Sequence, residues 1–172
     1  MKKFAQAALI MHFIFGMAAA RGAPQSLDLS CPHLYPIQLK YLEKHINYAK
    51  ENPNLESRTV DQFIKRLDSS KLYLLDSDEA QIKQMMTGIF EKIKKSDCAA
   101  IEKVNALYVK RVKDRVEYAK KYLNAKFKFN PLAQINRDPE ERLRPKNLGA
   151  ASRAHETYMQ YQVASYLITD MK

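Results

Sequence analysis

Apolar residues recur through this chain at three- and four-residue intervals and hardly anywhere at two. That periodicity dictates helices and leaves little from which to build a sheet. Only four glycines occur in 172 residues. The spacing predicts an all-α fold, an irregular bundle of about five helices. The first has Pro36 in its first turn, where proline is tolerated. It runs to about Lys50 with Ile37, Tyr41, Leu42, Ile46 and Ala49 on one face, and Asn52-Pro53-Asn54 breaks it. The second runs from near Ser57 to Leu67, with Val60, Phe63, Ile64 and Leu67 facing inward. The third runs from Asp78 to Lys94, capped by Ser77, with Asp78 and Glu79 at its positive end. Its stripe is Ile82, Met85, Met86, Ile89 and Ile93, and Gly88 is read as a site of close packing that costs about 1 kcal/mol against alanine.

A fourth helix, capped by Asp97, runs to about Phe127. Ile101, Val104, Tyr108, Val112, Val116, Ala119 and Leu123 face one way, and Glu117 is placed to pair with Lys121. Residues 130–147 hold Pro131, Pro139, Pro145 and dense charge, and read as an irregular connection. The last helix covers Ala150 to Ile168. Its tyrosines, Tyr158 and Tyr161 among them, suit a surface that packs while its hydroxyls stay hydrogen-bonded. No repeat of 33 to 47 residues is visible, which disfavours a solenoid.

The N-terminus reads as a targeting segment. Lys2 and Lys3 precede a mostly apolar stretch from Phe4 to Ala20, and Ala18-Ala19-Ala20 fits a cleavage site after residue 20. Cleavage after Ala23 is less favourable because Pro24 would follow. As an uncleaved anchor the stretch is marginal, since spanning takes about 20 apolar residues. The expectation is export to the periplasm, a single domain over residues 21–172, and no stable membrane span after cleavage. Loss of residues 1–20 removes two lysines and lowers the formal net charge from +10 to +8. Basic and acidic residues alternate along the rest, as on solvated helix faces, and no Gly-rich or aromatic nucleic-acid motif is present. Nucleic acid is therefore not an expected partner.

Two cysteines remain, Cys31 and Cys98. In an oxidising compartment an even pair suggests a disulfide, which would close a long loop worth about 3–4 kcal/mol. Two buried free thiols are the second reading, and a Cys98 thiolate favoured by the helix start is the third. His33 beside Cys31 falls short of the three or four ligands a metal site needs. No metal and no cofactor are expected.

The helical pattern stops once in a conspicuous way. After Leu67-Asp68, Ser69-Ser70-Lys71 offers polar groups to the loose carbonyls at the end of the second helix. Leu72-Tyr73-Leu74-Leu75 is too short and too apolar for an exposed loop, and predicts an extended plug at residues 72–75 crossing the core. Asp76-Ser77-Asp78 restarts the helix. A helix hairpin with an apolar linker is the plainer alternative.

This stretch resembles the N-terminal helical domain of periplasmic tail-specific proteases, also called C-terminal processing proteases. Phe63, Leu67-Asp68, Tyr73-Leu74-Leu75 and Ser77-Asp78 carry the likeness, with Leu74 where the family often has phenylalanine. The long basic helix, Arg144-Pro145-Lys146 and the closing helix are also similar, although the tryptophan common in that helix is missing. The likeness spans roughly residues 35 to 170. In that family a PDZ domain and a protease domain with a serine–lysine dyad follow the closing helix. This sequence stops at Lys172, so the expectation is a chain with no catalytic residues.

The resemblance thus implies a noncatalytic exported module that helps dock a protease, its adaptor lipoprotein or a protein substrate. Phe63, Leu67, Asp68, Tyr73, Leu74, Leu75, Ser77, Asp78, Tyr158 and Tyr161 are the candidate motif or contact residues, with the plug read as core before contact. A truncated piece of the full serine protease is the alternative. A small basic periplasmic chaperone or envelope-binding protein, meeting acidic clients or lipid headgroups through its basic helices, is the third reading.

Overall fold

The computed structural model describes residues 30–48, 50–124 and 126–170. The expected leader and both candidate cleavage positions lie outside the described residues, as does Ala49. Six helices follow one another among them: α1 (Cys31–Glu43), α2 (Pro53–Leu67), α3 (Asp76–Met85), α4 (Ile89–Lys94), α5 (Ala99–Tyr122) and α6 (Leu148–Asp170). No strand forms among the described residues, so the fold is all-α. None of these helices is long and apolar enough to cross a membrane.

Two boundaries differ from the periodicity reading because capping chemistry overrides it. Asn52-Pro53-Asn54 does not merely end a helix. Asn52 caps α2, its Oδ1 accepting the Leu55 N–H at 2.9 Å, and Pro53 takes the first helical position, where its missing N–H costs nothing. α2 therefore starts four residues before Ser57. The first helix is correspondingly displaced, beginning at Cys31, enclosing Pro36 and stopping at Glu43. Of its expected inward face only Leu42 is buried; Ile37, Tyr41 and Ile46 are exposed. α1 packs on α4, and the Cys31–Cys98 disulfide fastens its first residue to the start of α5 across a Cα–Cα distance of 6.0 Å.

The expected third helix is two helices. Gly88 sits at φ +70°, and nothing lies within 4 Å of where a Cβ would stand. It is a left-handed hinge suited to glycine, not a point of close packing. The hinge frees the first amides of α4, and Glu56 on α2 accepts two of them, from Gly88 at 2.9 Å and from Phe90 at 3.1 Å. A carboxylate from a neighbouring helix thus neutralises the positive end of α4.

The core joins α2, the plug and α3 to α5: Val60, Ile64, Leu74, Ile82, Met86, Ile89, Phe90, Ala100 and Val104. α5 stops at Tyr122, short of Phe127. Asp97 contributes to its start by accepting the Ala99 N–H at 3.0 Å. In its second half the inward stripe is not the expected one. Val116 and Leu123 are exposed. The residues turned to α6 are Tyr118, which donates to Glu156, and Tyr122, whose hydroxyl accepts from Gln160 at 2.8 Å. Glu117 pairs with Lys120 at 3.0 Å in place of Lys121. The connection from 130 to 147 is irregular, as read, and is held by polar bonds: Asn130 N–H donates to Gln160 Oε1 at 2.9 Å. Asn147 caps α6 through the Ala150 N–H at 2.9 Å.

Candidate functional site

The break after α2 is organised by one carboxylate. Lys71 adopts φ +53°, and the chain bends through residues 71–74 instead of running as an extended segment. The bend wraps the backbone around Asp68. Its carboxylate accepts the Leu72 N–H at 3.1 Å, the Leu74 N–H at 3.0 Å and the Tyr73 N–H at 3.3 Å. The polar run meets a loose carbonyl as expected, the Lys71 N–H donating to Asp68 O at 3.1 Å, while the Asp68 carboxylate gathers the loose amides that follow. Three N–H groups that would otherwise be buried without partners are satisfied. Leu72, Leu74 and Leu75 can then be buried, Leu74 completely, at roughly 1.5–3 kcal/mol of hydrophobic stabilisation each.

A second carboxylate closes the plug. Leu75 takes the N-cap position of α3, and Asp78 reaches back to accept its N–H at 2.8 Å. Ser77 does not cap; it is exposed. Both carboxylates are buried, 2 % exposed, and each has its own arginine. Arg111 on α5 grips Asp78 in a two-point fork, Nε to Oδ2 at 2.7 Å and Nη2 to Oδ1 at 2.8 Å. Arg144 places Nη1 on Asp68 Oδ2 at 2.6 Å and Nε on Glu79 Oε2 at 2.6 Å. Beside it, Asp76 N–H donates to Pro145 O at 3.0 Å. The Arg144-Pro145 pair is thereby locked to the plug. Burial pushes the Asp78 carboxyl up, but the bonds from Arg111 and Leu75 outweigh it and hold it below the ordinary carboxylate range.

The remaining candidates divide by position. Phe63 and Leu67 are half-buried and pack against the core. Tyr73 is half-buried, edge-on to Tyr108 at 5.9 Å, and burial raises its hydroxyl pKa, with help from Tyr158 and Asp68. Tyr158 and Tyr161 are half-buried instead of freely exposed. Tyr158 lies 6.3 Å from the His155 ring, and Arg137 sits over Tyr161 at 5.8 Å. Cys31 and Cys98 form the disulfide described above. The structure therefore brings Asp68, Tyr73, Leu74, Leu75 and Asp78 into one unit and leaves Tyr161 apart from it.

Periodicity missed four members of this region. Arg111, Arg115 and His155 stand in runs that read as solvated helix faces, and Glu56 stands in a first turn. Arg115 and His155 are 2 % and 7 % exposed. Arg115 Nε and Nη2 and His155 Nδ1 are buried without a hydrogen-bond partner. Burial and then the nearby Arg115 charge hold the His155 imidazole below its ordinary pKa.

Residues 38–172 match the model of the tail-specific protease N-terminal domain. The chain belongs to the tail-specific protease N-terminal domain family. No curated protein and no solved structure gives a significant match. Within this tail-specific protease domain the two carboxylate–arginine pairs have a structural character. They satisfy the backbone at the plug and bind α2, α3, α5 and the 139–147 segment to one another. Nothing in their geometry presents a nucleophile beside a base.

Proposed function

We propose that this domain is a noncatalytic docking module of tail-specific proteolysis, exported to the periplasm, and that its rigid plug frame holds helical surfaces ready for a protease, its adaptor lipoprotein or a protein substrate. The observation that carries the reading is the match over residues 38–172 to a domain named for its place at the front of these proteases. The side chains support it. Every lysine among the described residues is at least partly exposed. Lys92, one of the least exposed, is spent on the carbonyls of Met85 and Thr87. A serine–lysine dyad needs a lysine with a depressed pKa, which requires burial or cationic neighbours.

The expected result with immobilised, purified domain and envelope extract is recovery of a tail-specific protease or its adaptor lipoprotein; recovery of neither overturns the docking role. The same match supports a second reading, in which the chain is the leading piece of a complete serine protease. Peptidase assay of the isolated chain separates the two. No turnover is expected, and turnover by clean protein would overturn the noncatalytic reading.

A further inference from the structure

A neighbouring face of α2 carries two arginines that lack acidic partners. Leu55, Phe63, Tyr48 and His45 line a cavity of about 450 Å3 together with Arg58 and Arg66. That volume lies within the range of functional pockets. The lining includes two guanidinium groups and no carboxylate. Elsewhere on α2 and α3 the cations are neutralised: Lys65 by Glu140, and Lys83 by Asp61 and Glu79. Arg66 has no ion pair or hydrogen bond among the described residues, and Arg58 reaches only the Tyr48 hydroxyl at 3.3 Å. Two unneutralised arginines beside half-buried Leu55 and Phe63 form an apolar surface with a defined sign of charge.

Resting on the docking role proposed above, we propose that this groove takes an acidic amphipathic helix from a partner protein. Arg58 and Arg66 are eight residues apart on α2, about 12 Å along the axis at the helical rise. A partner helix with acidic residues at i and i+7 presents its carboxylates at nearly that separation. Its residues at i+3 and i+4 fall between them on the same face. Those two positions are apolar in the fitting partner and pack over Phe63, which lies between the two arginines along α2. Each carboxylate forms a fork with one arginine, the geometry guanidinium groups favour. This is helix-in-groove recognition with charge setting the register.

The probe is a capped helical peptide of alanine and glutamine carrying Glu, Leu, Leu, Glu at i, i+3, i+4 and i+7, read by fluorescence anisotropy. Saturable micromolar binding to the folded domain is expected. The Arg58→Glu/Arg66→Glu variant, changed at exposed positions, should weaken it by about tenfold or more. That variant should in turn bind the peptide with Lys in place of both Glu. Lys103→Glu/Lys110→Glu, an equal change of charge on exposed α5 positions, should leave binding within about twofold. Absence of binding, or equal weakening by the two double variants, overturns the groove. If the peptide fails while the domain still captures a protease or adaptor, the groove assignment falls and the docking role stands. If both fail, both fall.

Discussion

Arg144 and Asp68 are 76 residues apart in sequence and meet at 2.6 Å, with side chains 6 % and 0 % exposed. One guanidinium thus ties the segment before α6 to the carboxylate that organises the plug. Arg144→Ala leaves Asp68 buried and unpaired, and breaking a buried pair costs about 3–5 kcal/mol. Urea unfolding should show that loss. Arg144→Lys should recover part of it, because one ammonium cannot reproduce the fork to Asp68 and Glu79.

Asp68→Ala removes the acceptor of three plug amides as well as the partner of Arg144. In a double-mutant cycle the two positions should couple by about 1–3 kcal/mol. Additive losses would mean that the plug is held by leucine packing alone.

Leu74→Ala empties a fully buried position at the centre of the core and should cost about 2–5 kcal/mol. Leu132→Ala, at a position 83 % exposed, should stay within about 0.5 kcal/mol. Thermal melts of the two variants check the contrast directly.

Acid should weaken the domain in two stages. The His155 imidazole has a lowered folded-state pKa because it is buried, with Arg115 adding to the effect, and Tyr73 and Tyr158 are the other titratable rings beside it. The unfolded chain therefore binds that proton first, and stability falls as pH drops through about 6.5. The Asp78 and Glu79 carboxyls are also lowered, burial being outweighed by Arg111 and Leu75 for Asp78, and by Lys83 and Arg144 for Glu79. Their contribution is full above the ordinary carboxylate value and is lost as pH falls below about 4 towards their folded values. Melting temperature against pH should show both stages, and His155→Gln should remove only the first.

Reduction of Cys31–Cys98 opens a crosslink spanning 67 residues, worth about 4 kcal/mol by loop closure. Because Leu42 is the only buried residue of α1, α1 should lose protection from hydrogen exchange well before α2 and α5 do. Mass spectrometry of peptides from the oxidised and reduced protein reads the difference.

Fold class and family were legible in the sequence because helical spacing and a capped break survive as local patterns. Val60, Ile64 and Val104 announce themselves by periodicity. Helix starts were less legible, since Asn52 caps across a proline that reads as a breaker. The split at Gly88 was hidden because its conformation is answered from afar by Glu56. The plug region shows the sharpest limit. Asp68 and Asp78 stand out as motif residues, but nothing local says that they are buried. Their burial depends on Arg111 and Arg144, supplied from 33 and 76 residues away. Arginines in a charge-rich sequence look alike until the chain has folded, and Arg115 and His155 were invisible for the same reason.

The most direct test of the plug frame is native-state hydrogen exchange at the amides of Leu72, Leu74 and Leu75. Bonded to Asp68 and Asp78 within the core, they should open only with global unfolding, as slowly as amides in the middle of α2 and α5. Exchange as fast as that of the exposed 136–141 segment would contradict the locked plug and the rigid frame built upon it.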